Sequence, residues 1–139
     1  MINFKIISKY IKKIDFQIPS TKIYYLLVDN ISKYKINFEI KSNQIKNNLI
    51  EVETSLFLKS QDISIEKISA LIIHSTIIEI DNNVKDKQKL EEIILVKVPT
   101  EVYSEIRKSF IFIFEQSGFK NIKIEEKVDF EKLYKSRKI

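Results

Sequence analysis

His74 is the only histidine in the sequence, Gly118 the only glycine, and cysteine is absent. These three counts decide most of the available chemistry. Without Cys there is no thiolate nucleophile, disulfide or thiolate metal site, and a single His cannot form a histidine metal cluster or a His-pair mechanism. One glycine cannot build a phosphate-cradling loop, a GxGxxG turn or a nucleophile elbow, so nucleotide enzymology is excluded along with any implied cofactor. The carboxylate pairs Glu91/Glu92 and Glu125/Glu126 are adjacent in sequence. Neighbours on a helix or strand diverge, so neither pair converges on a substrate. His74 itself lies in the apolar run ALIIHSTIIEI, where packing accounts for it. Catalysis and metal binding therefore have no residue set, and the expectation is a protein that is not an enzyme.

The remaining candidate chemistry is charge and apolar surface. The 139 residues carry 24 Lys and Arg against 19 Asp and Glu, a net charge of +5, and 22 of the cations are Lys spread along the chain. Phosphate-binding proteins gather cations and favour the bidentate fork of Arg. A nucleic-acid-binding module nonetheless stays open as an alternative, on Lys9, Lys12 and Lys13 beside Tyr10. Lysines interrupt every apolar stretch of the N-terminus, and no run reaches the roughly 18 residues of a membrane span. A cytoplasmic protein without membrane insertion is expected.

Those groups must be positioned by one domain, since the length suits a single core over residues 1–139. From Ile2 to Ile18 the even positions (Phe4, Ile6, Tyr10, Ile14, Phe16) alternate as the face of a strand closed by Pro19. The next stretch, STKIYYLLVDNIS, shows neither helical nor strand period and reads as an apolar connection, either folded over a core edge or forming the lip of a binding surface. Two strands follow, Tyr34–Lys41 and Ile50–Leu58, joined as a hairpin through SNQIKNN. Residues 65–80 form a fourth strand, apolar on both parities from Ala70 to Ile78, as expected of a strand covered on both faces. The second half is helical: about Asp86 to Val98, then a longer helix from Pro99 to Ser117, where Val102, Tyr103, Ile106, Phe110, Ile113 and Phe114 repeat at three and four. Gly118 supplies the left-handed turn after the helix. Asp129 caps a short last helix, with Val128 and Leu133 as its staple and Phe130, Leu133 and Tyr134 on its inner side.

Ile111 and Phe112 add a second apolar stripe to the long helix. One small sheet cannot cover both stripes, so self-association is expected, with Tyr103, Arg107, Phe110, Ile111, Phe112 and Phe114 at an oligomer interface. The fold class is α+β: a four-stranded antiparallel sheet with a long C-terminal helix, kinked or broken near Pro99, and a short last helix.

Three blocks resemble the SecB protein-export chaperones. YIKKIDFQIP (Tyr10–Pro19) is similar to the family's first strand. VPTEVYSEIRKS (Val98–Ser109) is similar to its Pro-initiated helix, through Pro99, Tyr103 and Arg107. GF followed by VDFEKLY (Val128–Tyr134) is similar to its closing signature. The resemblance implies a dimer of dimers acting as a holdase: without nucleotide, it binds unfolded polypeptides, secretory precursors among them, and hands them to the SecA motor. Clients of another kind, such as an antitoxin, remain an alternative. The groove positions implied are Tyr24, Tyr25 and Leu26 in the connection, Tyr34, Ile36 and Phe38 on the second strand, Ile68 entering the fourth, and Tyr134. The family's acidic SecA-docking positions correspond here to Lys13, Gln17 and Leu71, so SecA docking would need replacement acids, for which Glu51, Glu53 and Glu79 are the candidates.

Overall fold

Strand alternation governs the first half of the chain. In the computed structural model, which describes residues 4–31, 34–60, 69–81, 86–120, 122 and 124–137, four strands form one sheet. They are β1 (Phe4–Gln17), β2 (Tyr34–Lys46), β3 (Leu49–Ser60) and β4 (Ser69–Ile80), in the order β1-β4-β3-β2 with antiparallel neighbours. β2 and β3 turn at Asn47, whose φ of 39° is the left-handed conformation that Asn tolerates. The helices are α1 (Thr21–Asn30), α2 (Lys87–Glu92), α3 (Val98–Gln116) and α4 (Phe130–Arg137).

The expected break near Pro99 lies one turn earlier. Between α2 and α3 the helix widens into a π-helical turn, Ile93–Lys97, with the Val98 N–H bonded to the Ile93 carbonyl. Pro99 has no N–H to continue an α ladder, and the extra residue absorbs the mismatch, so α3 starts with Pro in its first turn. The Thr100 hydroxyl donates to the Val96 carbonyl at 2.5 Å.

Register assigns the two faces of the sheet. Ile36, Phe38 and Ile40 stand opposite Leu58, Leu56 and Thr54, and with Ile72 and Ile78 of β4 they form the face packed under the helices. β1 does not keep the single even-numbered face expected from its alternation. Register shifts between Ile6 and Ser8 and between Ile11 and Lys13 turn Lys9 and Ile11 to the helix side and Tyr10 to the outer side. A bulge adds one residue to a period-two strand and so reverses every side chain beyond it.

The helix-side face is divided by a polar row. Thr54 and His74 are cross-strand partners, with Thr76 next along β4, and all three are buried. Thr54 Oγ1, His74 Nδ1 and Thr76 Oγ1 lack a hydrogen-bond partner among the described residues. On one side lies the cluster of Leu56, Ile72, Ile106, Phe110 and Phe114; on the other, that of Val52, Ile78, Ile93 and Val98. Above the row, Lys9 Nζ bonds Glu105 at 2.6 Å, and His74 Nε2 lies 3.9 Å from the same carboxylate.

Burial lowers the His74 pKa, opposed by Glu105 and assisted by Lys9. Above about pH 6.5 the ring is neutral in folded and unfolded chain alike; below it the unfolded chain binds a proton that the folded chain resists. Stability therefore falls as the pH drops through this window. The urea midpoint should be lower at pH 5.5 than at pH 8, and the difference should shrink in His74→Gln; an unchanged difference would show that other groups carry it.

Candidate functional site

The segment expected as an irregular connection is helix α1. Ser20 caps it, its hydroxyl accepting from the Ile23 N–H at 3.2 Å, and Ile23 and Leu27 four residues later are buried. This narrow stripe anchors the helix. The other faces carry apolar residues in water: Tyr25 is 66% exposed, Leu26 43% and Val28 43%. The helical period is hidden in the sequence because these outward residues are apolar too.

Tyr24 links α1 to the core. Its ring meets Tyr25 at 5.6 Å and Phe119 at 5.2 Å, and its hydroxyl donates to the Gly118 carbonyl at 3.3 Å. Gly118 closes α3 with φ 93°. The Phe119 N–H returns to the Phe114 carbonyl and the Gly118 N–H to that of Glu115, the paired bonds of a Schellman cap, with Phe119 against Phe114 at 5.6 Å. A Cβ at residue 118 would run into the Tyr24 hydroxyl. Gly118→Ala should therefore cost about 1 to 2 kcal/mol through the strained φ and the displaced ring together. Chemical denaturation of the variant checks this; a loss within error would mean that the cap relaxes freely.

The other expected groove positions have different surroundings. Ile36 and Phe38 are half-buried against the core, the Phe38 ring 5.0 Å from Phe130. Tyr134 is buried, and its hydroxyl bonds Glu91 at 3.0 Å. A cavity of only about 20 Å³ lies between Phe38, Ile40, Leu95, Phe130, Leu133 and Tyr134, room for about one water. Tyr34 opens β2, and Ile68 lies outside the described residues. Asp129 caps α4 as expected, accepting from the Lys132 N–H at 3.0 Å, whereas Leu133 turns outward at 40% exposure.

The residues expected at an oligomer interface separate. Tyr103, Phe110 and Phe114 are buried in the chain's own core, and Ile111 packs against its margin. The Tyr103 hydroxyl donates to the Glu125 carbonyl at 2.7 Å, and Arg107 Nε to that of Ile124 at 3.1 Å, so both tie α3 to the segment before α4. Phe112 is 59% exposed.

On the outer face, the expected acidic patch of Glu51, Glu53 and Glu79 does not form as such. Glu51 is buried, and its Oε2 accepts from Ser75 Oγ at 2.7 Å, Lys12 Nζ at 3.1 Å and Tyr10 Oη at 3.2 Å. Lys12 also meets Glu53 at 2.9 Å. Lys12, from the bulge of β1, thus bridges both carboxylates and offsets one of their two charges, and Glu79 remains exposed. The Ser75 hydroxyl, followed by Lys12, holds the Glu51 carboxyl below the usual range against the opposing effect of burial. Lys12, held first by Glu53 and then by Glu51, keeps its proton well above the ordinary lysine range. Ser75→Ala would leave a buried carboxylate short of a donor and should cost about 1 to 3 kcal/mol at neutral pH. Because the folded pKa is depressed, that cost should be present above about pH 4.3 and fade as acid protonates Glu51. Urea titrations at pH 7 and pH 3 would expose it; equal losses at both would contradict the charge argument.

Among the described residues, no cluster of His, Cys, Asp or Glu could hold a metal ion, and no helix is long and apolar enough to cross a membrane.

The family profile described as "Preprotein translocase subunit SecB" matches residues 1–139. The chain belongs to the SecB family. It is 39% identical over 135 residues to a "Putative protein-export protein SecB" of Pelagibacter ubique (strain HTCC1062), covering 97% of this chain and 96% of that one. Its backbone also resembles a SecB-like chaperone of Mycobacterium tuberculosis, solved with a ChAD peptide from an antitoxin, at a TM-score of 0.65 and 11% identity over 91% of this chain and 88% of the other. The four-stranded sheet with its long and short C-terminal helices is the SecB-like fold.

Proposed function

We propose that this SecB-family chain is a cytoplasmic, nucleotide-independent holdase that binds unfolded polypeptides, secretory precursors among them, on the apolar face of α1 and on aromatic residues of β2 and α4. The observation that carries the reading is the exposure of Tyr25, Leu26 and Val28 on a helix whose buried stripe is already satisfied. Apolar burial is non-directional, worth about 25 cal/mol per Å², so such a face accepts many sequences. The wider groove would take in Tyr34, Ile36, Phe38, Ile68 and Tyr134, with the small cavity beside Phe38 and Tyr134 opening as a client enters. Suppression of aggregation of a reduced, unfolded client, without nucleotide and with little loss as salt rises, is the expected result. Binding that collapses with salt, together with stronger binding of single-stranded DNA, would reverse the reading. The nucleic-acid alternative loses support because Lys9 and Lys12 are paired with Glu105, Glu51 and Glu53.

The working form is a homotetramer, a dimer of dimers. β1 is an edge strand with Ile7, Tyr10, Ile11 and Ile14 each exposed by 46 to 49%, and Phe112 stands out from α3. Such apolar surface on two separate elements suits two kinds of contact between copies. The solution mass should be near four times the 16.5 kDa of one chain, and Phe112→Asp should lower it; a monomer at micromolar concentration contradicts the assembly. SecA hand-off through acids of the outer sheet face has weak support, with Lys13 and Gln17 exposed there and Glu51 and Glu53 held by Lys12.

A further inference from the structure

Three polar atoms meet inside the core without a partner. Thr54 Oγ1, His74 Nδ1 and Thr76 Oγ1 belong to residues none of which is more than 5% exposed, and no hydrogen bond reaches them from the described residues. Buried side-chain donors and acceptors are nearly always satisfied, because stripping water from one without replacing its bond works against folding. Three of them together on one sheet face point to a shared polar occupant.

Register and size define what fits. Thr54 and His74 are cross-strand partners, so their Cβ atoms stand about 5 Å apart, and Thr76 lies two residues along β4, about 7 Å from His74. A molecule making two bonds of about 2.8 Å bridges groups up to about 5.5 Å apart. One small molecule therefore spans Thr54 and His74, and a second carries the chain to Thr76. Leu56 and Ile72 close the row on one side and Val52 and Ile78 on the other, so the walls are apolar.

Charge selects the occupant. Glu105, the carboxylate beside the row, already takes Lys9 Nζ at 2.6 Å, and Lys9 is the β1 partner of Thr76. The other oxygen of Glu105 faces His74 Nε2 at 3.9 Å. Opposite an acceptor, Nε2 carries the proton of the neutral ring, which leaves Nδ1 as a lone pair in need of a donor. No cluster of His, Cys, Asp or Glu among the described residues could hold a metal cation, and an anion would meet the lone pair. A small neutral molecule that both donates and accepts satisfies all three atoms.

We propose that the row is a binding site for internal water: one molecule donates to His74 Nδ1 and bonds Thr54, and a second links it to Thr76. Water held there fixes the His74 ring with its Nε2–H toward Glu105, so that this carboxylate of α3 gathers β1 through Lys9 and β4 through His74. The waters thereby position the long helix against the edge strand. The site lies inside the chain and is independent of what α1 binds.

His74 is the only histidine, so its ring nitrogens give a single set of resonances in a nitrogen NMR spectrum of the full-length protein. At pH 8, Nε2 should carry the proton and Nδ1 should show the shift of a nitrogen that accepts a hydrogen bond, with cross-peaks from the ring and from the Thr54 and Thr76 methyls to long-lived water. Thr54→Val and Thr76→Val keep the side-chain shape and remove a bonding group. Each should lower the urea midpoint, and the double variant should lose less than the two losses added, because the same waters are shared. Removing an unsatisfied hydroxyl has the opposite effect and leaves the midpoint unchanged or raised. Such a midpoint in either single variant, losses that simply add, a proton on Nδ1, or the absence of long-lived water at the ring each overturns the proposal.

Discussion

Phe114→Ala should lower the stability of the folded chain by about 3 to 5 kcal/mol, a large share of the roughly 5 to 15 kcal/mol of a typical domain. Phe114 is fully buried, and its ring meets Phe16 of β1 at 5.0 Å, Phe110 at 5.1 Å and Phe119 at 5.6 Å, edge to face in each case. Removing it opens a cavity shared by an edge strand, the long helix and the segment that anchors α1, so no single element can move in to fill it. Phe112→Ala, two residues away on the exposed side, should cost far less in the isolated fold. Urea midpoints of the two variants make the comparison; a Phe114 loss below about 1 kcal/mol would mean that the aromatic chain does not hold these elements together.

The double variant Tyr25→Asp/Leu26→Asp should weaken binding of an unfolded client about 100-fold while leaving the thermal midpoint almost unchanged. Burying a side chain of this size contributes about 1.5 to 3 kcal/mol, and two lost contacts plus the cost of desolvating carboxylates exceed the 2.7 kcal/mol that corresponds to 100-fold. Tyr25 is 66% exposed and Leu26 43%, so the fold loses little beyond the ring contact of Tyr25 with Tyr24. Titration with a reduced, fluorescently labelled client checks this, and affinity within about threefold of the unaltered protein would remove α1 from the binding surface.

The strands, the long helix, the glycine cap and the Asp129 cap were legible because each rests on a local rule that the fold obeys. α1 was not legible. Ile23 and Leu27 supply a helical spacing, but Tyr24, Tyr25, Leu26 and Val28 spread apolar character around the whole turn, and the period vanishes wherever outward residues are selected for something other than solubility. β1 failed for a geometric reason: alternation at even positions continues through Tyr10 and Lys12 in the sequence, whereas two bulges reverse the strand between Ser8 and Ile11. Glu51 looked like a solvent-side acid by parity, and it does lie on the outer face. What parity cannot convey is that three donors from β1 and β4 close over it. At the candidate site, the aromatic identities of Tyr25, Phe38 and Tyr134 could be picked out, but their unequal exposure depends on how α1 and α4 lie over the sheet.

The two bulges in β1 also bear on how the protein behaves in a crowded suspension of misfolded chains. A straight edge strand of 14 residues with Ile7, Ile11 and Ile14 exposed would be a template on which one sheet after another could stack into a fibre. The register shifts split that edge into short runs whose faces do not match, and Lys5, Lys9, Lys12 and Lys13 place a charge in or beside each run. A ladder can form over one run, but propagating it indefinitely would misalign the hydrogen bonds. The bulges thereby limit how far copies of the chain could stack edge to edge on this strand.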